Sequence, residues 1–160
     1  MLKISPTDGD RADLRGLGTR YLLRGEDTGG QFALLEHTIP PRALAAPVHL
    51  HQNEDEYSFV LSGRVGVQIG DEVAEVGPGE LVAKPRGVPH AFWNAGDEEA
   101  RLLELISPPA FAGYFEELAP VLLADGPPDL EKLAAIQKRY SLQMDFDTIM
   151  PLMERHRLEQ

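Results

Sequence analysis

The chain has 160 residues and a mass of 17.6 kDa, which is room for one domain. Apolar residues make up 42% of it, too many for a disordered chain, and 26 acidic against 15 basic side chains give a net charge of −11, a field that repels phosphate backbones and excludes nucleic acid as a partner. It contains no cysteine, which removes disulfides, thiolate nucleophiles and cysteine-ligated zinc or iron–sulfur sites.

The opening stretch, MLKISPTDGDRADLRG, lacks the apolar run of a secretory signal, and no apolar run approaches the roughly 20 residues that cross a bilayer. A soluble, cytoplasmic protein with no membrane contact is therefore expected. Residues 1–30 are rich in charge and glycine, with one short strand expected around Arg20 to Leu23. From Gln31 to Ser107 the chain reads as short strands: FALLEHTI, EYSFVLSG, RVGVQI, EVAEV, GELVAKP, HAFWN and ARLLELI. Glycine and proline turns separate them, the pattern of an all-β sandwich or small barrel.

The pattern changes at Pro108-Pro109. Phe111, Tyr114, Phe115 and Leu118 fall on one helical face. Asp129 is placed to cap a second helix carrying Leu130, Leu133, Ala134 and Ile136. A third helix is expected around Thr148 to Arg157, with Pro151 near its first turn. The chain thus divides into a β part, 1–107, and a helical tail, 108–160. The tail is too short to fold alone, so its apolar faces must pack on the β part or on a partner chain.

Three of the five histidines sit in two compact clusters. In PVHLHQNEDEYSFVLSG, His49 and His51 lie two apart and share one face of a strand, and Glu56 follows a short polar turn. In GELVAKPRGVPHAFWN, His90 opens a later strand. Three neutral imidazoles and one carboxylate make a donor set for one divalent ion: iron, manganese, nickel, cobalt, copper or zinc. Four protein ligands on an octahedral ion leave two positions open, as catalytic sites do.

The two clusters resemble the two motifs of the cupin superfamily. The first, G-x5-H-x-H-x(3,4)-E-x6-G, is matched by His49, His51, Glu56 and Gly63; its opening glycine falls on Ala43. The second, G-x5-P-x-G-x2-H-x3-N, is matched by Gly79, Pro85, Gly87, His90 and Asn94. The resemblance implies a double-stranded antiparallel β-barrel (jelly roll) with a metal held inside one end. The tail is similar to the C-terminal helices of single-domain cupins related to flavonol (quercetin) dioxygenases.

Strand parity extends the reading into the pocket. With Glu56 inward, Ser58 and Val60 are inward too, and Tyr57, Phe59 and Leu61 form an outer face to be covered by the tail or by a second subunit of a homodimer. With His90 inward, Phe92 is either a pocket wall or core, and Trp93 points away into core or an interface. Asn94 either orients a ligand or caps the turn at Ala95-Gly96. His37 reads as a surface or edge histidine and His156 as a cation at a helix end, while Lys84 and Arg86, which flank the His90 loop, read by default as solvated charges and otherwise as contacts for an anionic substrate at the barrel mouth.

Three functions fit a small-molecule substrate at such a site. The leading one is a metal-dependent dioxygenase acting on a small aromatic or enol-containing molecule, with Glu56 as both ligand and proton acceptor. The others are a non-redox isomerase, decarboxylase or hydrolase, and a non-enzymatic binding module.

Overall fold

The computed structural model describes residues 3–159; Met1, Leu2 and Gln160, at the outer ends of the two expected parts, lie outside it. Its strands are β1 (Arg11–Asp13), β2 (Gly18–Leu23), β3 (Ala33–Ile39), β4 (Leu44–His51), β5 (Asp55–Ser62), β6 (Val65–Ile69), β7 (Glu72–Val76), β8 (Leu81–Lys84), β9 (His90–Asn94), β10 (Ala100–Ser107) and β11 (Leu142–Met144). The helices are α1 (Gly113–Leu123), α2 (Leu130–Arg139) and α3 (Ile149–His156). Every pairing is antiparallel, and the strands form two sheets, ordered β1-β2-β3-β10-β5-β8 and β11-β4-β9-β6-β7. The expected barrel is thus realised as two antiparallel sheets, an arrangement consistent with a jelly roll, with a helical part after them.

Side-chain alternation sets which face each strand buries. Along β5, Glu56, Ser58 and Val60 are buried while Tyr57, Phe59 and Leu61 are exposed. Along β10, Ala100, Leu102, Glu104 and Ile106 are buried. These inward residues meet Val65, Val67 and Phe92 of the other sheet in one apolar core. Strand β9 is buried on both faces. Its Ala91 and Trp93 face away from that core into a second cluster with Leu152 of α3 and Leu158, which explains a strand without polar alternation.

The tail departs from the expectation of helices alone. Strand β11 joins the edge of the five-stranded sheet, pairing Leu142 with His51 and Met144 with His49. Helix α2 starts as expected, with the Asp129 carboxylate accepting from the Lys132 backbone N–H at 3.1 Å. Helix α1 packs on β1 and α2, α2 on β11, and α3 on β4. The tail does not cover Tyr57, Phe59 and Leu61, which stay 36–38% exposed. No helix among the described residues is long and apolar enough to cross a membrane.

Three motif positions act through the backbone. Gly63 turns β5 into β6 at φ +79°, where a Cβ would lie 2.6 Å from the Ala100 Cα. Ala43, where the motif has glycine, introduces no strain, because the left-handed residue of that turn is its neighbour Arg42 at φ +49°. Asn94 is fully buried and ties three loop carbonyls together: its Nδ2 reaches Ile39 O (3.0 Å), Pro40 O (2.9 Å) and Glu98 O (2.7 Å), while its Oδ1 accepts from Gly96 N at 2.8 Å. Between the two roles open for it, turn capping is the one its bonds describe. Replacing it strands several buried backbone groups, so Asn94→Ala is expected to lose about 2–3 kcal/mol, measured as a lower urea midpoint at unchanged slope. A loss within about 0.5 kcal/mol would show these bonds to be dispensable.

Candidate metal centre and its cavity

Four side chains converge between the two sheets. His49 and His51 come from β4 and His90 from β9, all in the five-stranded sheet, and Glu56 comes from β5 in the six-stranded one. All four are buried, and one ligand atom from each lies within 4.8 Å of the others. His49 and His90 are cross-strand partners, and the β4–β9 register shifts between Leu44 and Ala46 and again between Ala46 and His49, across Pro47, a residue with no N–H to pair. Such bulges bend a strand and re-aim its side chains. The loop carrying His90 is tied to the other ligand strand through Gly87, at φ +75°, whose N–H donates to His51 O at 2.8 Å.

The local bonds leave metal-binding lone pairs facing inward. His49 Nδ1 donates to Pro47 O at 2.8 Å and His90 Nδ1 to Val88 O at 3.0 Å. A carbonyl only accepts, so in the neutral ring each Nε2 is the unprotonated nitrogen. The Nε2 atoms of His51 and His90 lie 3.5 and 3.3 Å from Glu56 Oε2, yet both are buried without a hydrogen-bond partner. Burial, helped by the neighbouring His90 and His51 rings, holds His49 well below the usual imidazole range, and burial takes His51 down to about 4. Burial alone would raise Glu56, but the Lys84 ammonium and the His51 and His90 rings overcome it and hold the carboxyl well below its usual range. An ionised carboxylate beside imidazoles whose buried ring nitrogens lack partners fits a divalent cation.

The cluster opens onto a cavity of about 180 Å³. Phe92, Glu56, His49, Lys84, Glu104 and His37 line it from the sheets. The tail lines the rest, with Phe111, Tyr114, Phe115 and Leu118 before and within α1, Leu133 of α2, and Met144 of β11. Phe111 sets its ring 4.2 Å from that of His51, nearly perpendicular.

Comparison with known proteins agrees with this geometry. A family model described as the cupin domain matches residues 35–106. Protein SCO3923 of Streptomyces coelicolor is 41% identical over 107 residues, 67% of this chain and 94% of that protein. A Streptomyces cyaneus protein named polyketide synthase CurC is 31% identical over 69% of this chain and 74% of its own length. The chain belongs to the cupin superfamily. Among solved cupins, the polyketide cyclase RemF of Streptomyces resistomycificus superposes with a TM-score of 0.59 at 29% identity, covering 68% of this chain and 80% of that one.

Several residues of this cupin differ in place from their sequence reading. Lys84 is not a solvated charge: it pairs with Glu56 across β5–β8, is 1% exposed, and puts its Nζ 3.1 Å from Glu56 Oε2 and 3.0 Å from Glu104 Oε2. Arg86 does sit at the surface, paired with Asp55 at 2.8 Å. Ser58 is inward but lies behind the wall, donating to Glu104 Oε2 at 2.7 Å. His37 is no edge residue. Its strand neighbour Glu36 faces outward to Arg20 and Arg101, which turns His37 inward, where Thr19 Oγ1 bonds its Nδ1 at 3.0 Å. His156 stacks on Trp93, with ring centroids 4.0 Å apart, and so acts in packing rather than as a helix-end cation alone.

Glu104 and the tail aromatics escaped the sequence reading as site residues. In ARLLELIS the glutamate occupies the same parity as Leu102 and Ile106, a charge at a core position, and that was the available signal. The tail aromatics carry no signal beyond an apolar helical face.

His37 gives the site a pH dependence. Burial, with the facing Lys84 ammonium, lowers it to about 4 against the opposing effect of Glu56. Between about pH 4 and 6.5 the unfolded chain binds a proton there that the folded chain does not, so this stabilising term is present above pH 6.5 and lost as pH falls. Glu104, pushed up by burial, acts in the opposite sense, so the comparison is made against a variant. The fall in unfolding free energy from pH 7 to pH 5 is expected to be about 2 kcal/mol smaller in His37→Gln than in the wild type. Equal falls would reject the assignment.

Proposed function

We propose that this cupin is a metal-dependent enzyme acting on a small aromatic or enol-bearing molecule, by proton transfer at an enolisable carbon or hydroxyl. The observation that carries this reading is a four-residue donor cluster that meets one apolar, aromatic-walled cavity through His49 and Glu56, beside a buried Lys84–Glu104 pair lining the same cavity. A divalent ion held by His49, His51, Glu56 and His90 would supply Lewis acidity toward a substrate oxygen. The chain's own groups do the remainder. Phe92, Phe111 and Tyr114 exclude water and present flat surfaces to a planar ligand. Lys84 keeps Glu56 ionised, and Glu56 takes the substrate proton. The names of CurC and RemF point the same way, since polyketide chains are rich in enolisable carbonyls and close into aromatic rings.

The dioxygenase reading is the second one, favoured by the donor set, which also suits iron, copper and nickel. One experiment separates them. Protein purified without chelators is analysed for metal, then loaded with zinc or iron(II). The zinc form is expected to carry one equivalent and to speed α-proton exchange of 2-tetralone in D₂O, followed by NMR, by at least about 100-fold over buffer. Glu56→Gln is expected to lose that exchange while keeping part of the metal. Oxygen uptake by the iron form with a flavonol, and no exchange by the zinc form, would transfer the assignment to the dioxygenase. A protein that takes up no metal would overturn both.

The proposal extends to assembly as a homodimer through the uncovered outer face of β5 and β8. Phe59 and Leu81 are cross-strand partners there, and with Tyr57 and Leu61 they form one apolar patch beside β8, an edge strand. A second copy is the occupant that both offers the same patch and can pair that edge. Sedimentation is expected to give twice 17.6 kDa for the wild type and a monomer for the double variant Phe59→Lys, Leu81→Lys. A monomeric wild type at micromolar concentration would reject the dimer.

A further inference from the structure

Glu104 is the buried charge that the metal centre leaves without a job. It stands on β10 at 1% exposure and lines the cavity. Its two oxygens differ. Oε2 takes two bonds, from Ser58 Oγ at 2.7 Å and from Lys84 Nζ at 3.0 Å. Oε1 is buried and has no hydrogen-bond partner at all. A buried carboxylate oxygen without a donor costs free energy unless something supplies one, and native structures keep such groups where a ligand does so.

The neighbours restrict what the ligand can be. Lys84 bridges Glu104 and Glu56, so the unsatisfied oxygen shares a wall with the carboxylate of the metal centre. The opposite wall is the aromatic and aliphatic surface of the tail, with Phe111, Tyr114, Phe115 and Leu118. With a divalent ion in place, two carboxylates and one ammonium would leave the site one positive charge, which one monoanionic oxygen neutralises.

We infer that Glu104 is a substrate-binding residue whose Oε1 accepts a hydrogen bond from a second hydroxyl of an enolic or phenolic ligand, while Ser58 and Lys84 lock its other oxygen. The substrate class is then an aromatic or enolic molecule with two neighbouring oxygens, one anionic at the metal centre and one bearing a proton toward β10. This rests on the enol-substrate reading above and adds to it the number and placement of the oxygens.

The test uses cobalt(II)-loaded full-length protein and two probes differing by one methyl group, catechol and 2-methoxyphenol. The cobalt visible bands report both that the metal site is intact and that a probe has bound. Wild-type protein is expected to bind catechol at least about tenfold more tightly than 2-methoxyphenol. Glu104→Leu is expected to abolish that preference by weakening catechol alone, and Glu104→Gln to abolish it too, because its one amide oxygen takes the bonds from Ser58 and Lys84 and leaves an NH₂, which donates, toward the ligand. A purely structural role for Glu104 would weaken both probes together or disturb the cobalt bands, and either result overturns the inference. Wild-type binding of both probes with no preference overturns it too, while leaving the enol reading standing. A loaded wild type that binds neither probe overturns the inference and the enol reading together.

Discussion

One ammonium group, Lys84 Nζ, holds two carboxylates of the six-stranded sheet at 3.0 and 3.1 Å, and all three side chains are buried. Burial by itself would discharge the lysine, and the two carboxylates reverse that and raise its affinity for the proton. Removing any member leaves an uncompensated charge in a low dielectric, which is the costly way to break such a set. The ionised state of Glu56 depends on this pairing, and with it the donor set for a cation. The same pairing leaves Glu104, a residue of the cavity wall, with one oxygen satisfied and the other buried without a partner. The charge triad is thus the link between the metal centre and the part of the cavity that would read a substrate.

Division of labour between the two sheets follows from it. The five-stranded sheet supplies nitrogen ligands, with His49 and His90 fixed by bonds from Nδ1 to backbone carbonyls two residues back. The six-stranded sheet supplies charge. A cation between them would join the sheets through side chains where the described backbone pairings keep them separate. Binding there would therefore add to folding stability as well as to chemistry.

The sequence was legible where periodicity and motif spacing act locally. The β5 and β10 strands, the Asp129 cap and the four converging ligands all follow from side-chain parity or fixed spacing. It was illegible where an answer depends on which strands are neighbours. Lys84 ends a short strand beside a proline and reads as a surface charge until β8 is placed against β5, which sets it opposite Glu56. His37 reads as an edge residue until β3 is found between β2 and β10. The three-residue strand β11 has no pattern long enough to register, and its pairing with the His49–His51 strand is set by tertiary packing. Tail aromatics give the same signal whether they meet a core or a cavity, because helical periodicity encodes a face and not what lies opposite it.

The cavity's size and ownership restrict the chemistry further. Its 180 Å³ corresponds to about six waters, below the range of drug-sized sites, so a ligand that fits inside is of one or two rings unless it projects from the mouth. The end of the cavity at His49 and Glu56 is built from paired strands, whose positions are held by registers and buried hydrogen bonds. The far end is built from α1, α2 and β11, which attach at sheet edges and to each other. Changes of side-chain volume at Leu118, Leu133 or Met144 would alter the length of ligand admitted without moving the ligands to the metal. On the proposed reading, selectivity for substrate size would be a property of the tail, and selectivity for oxygen pattern a property of Glu56, Lys84 and Glu104.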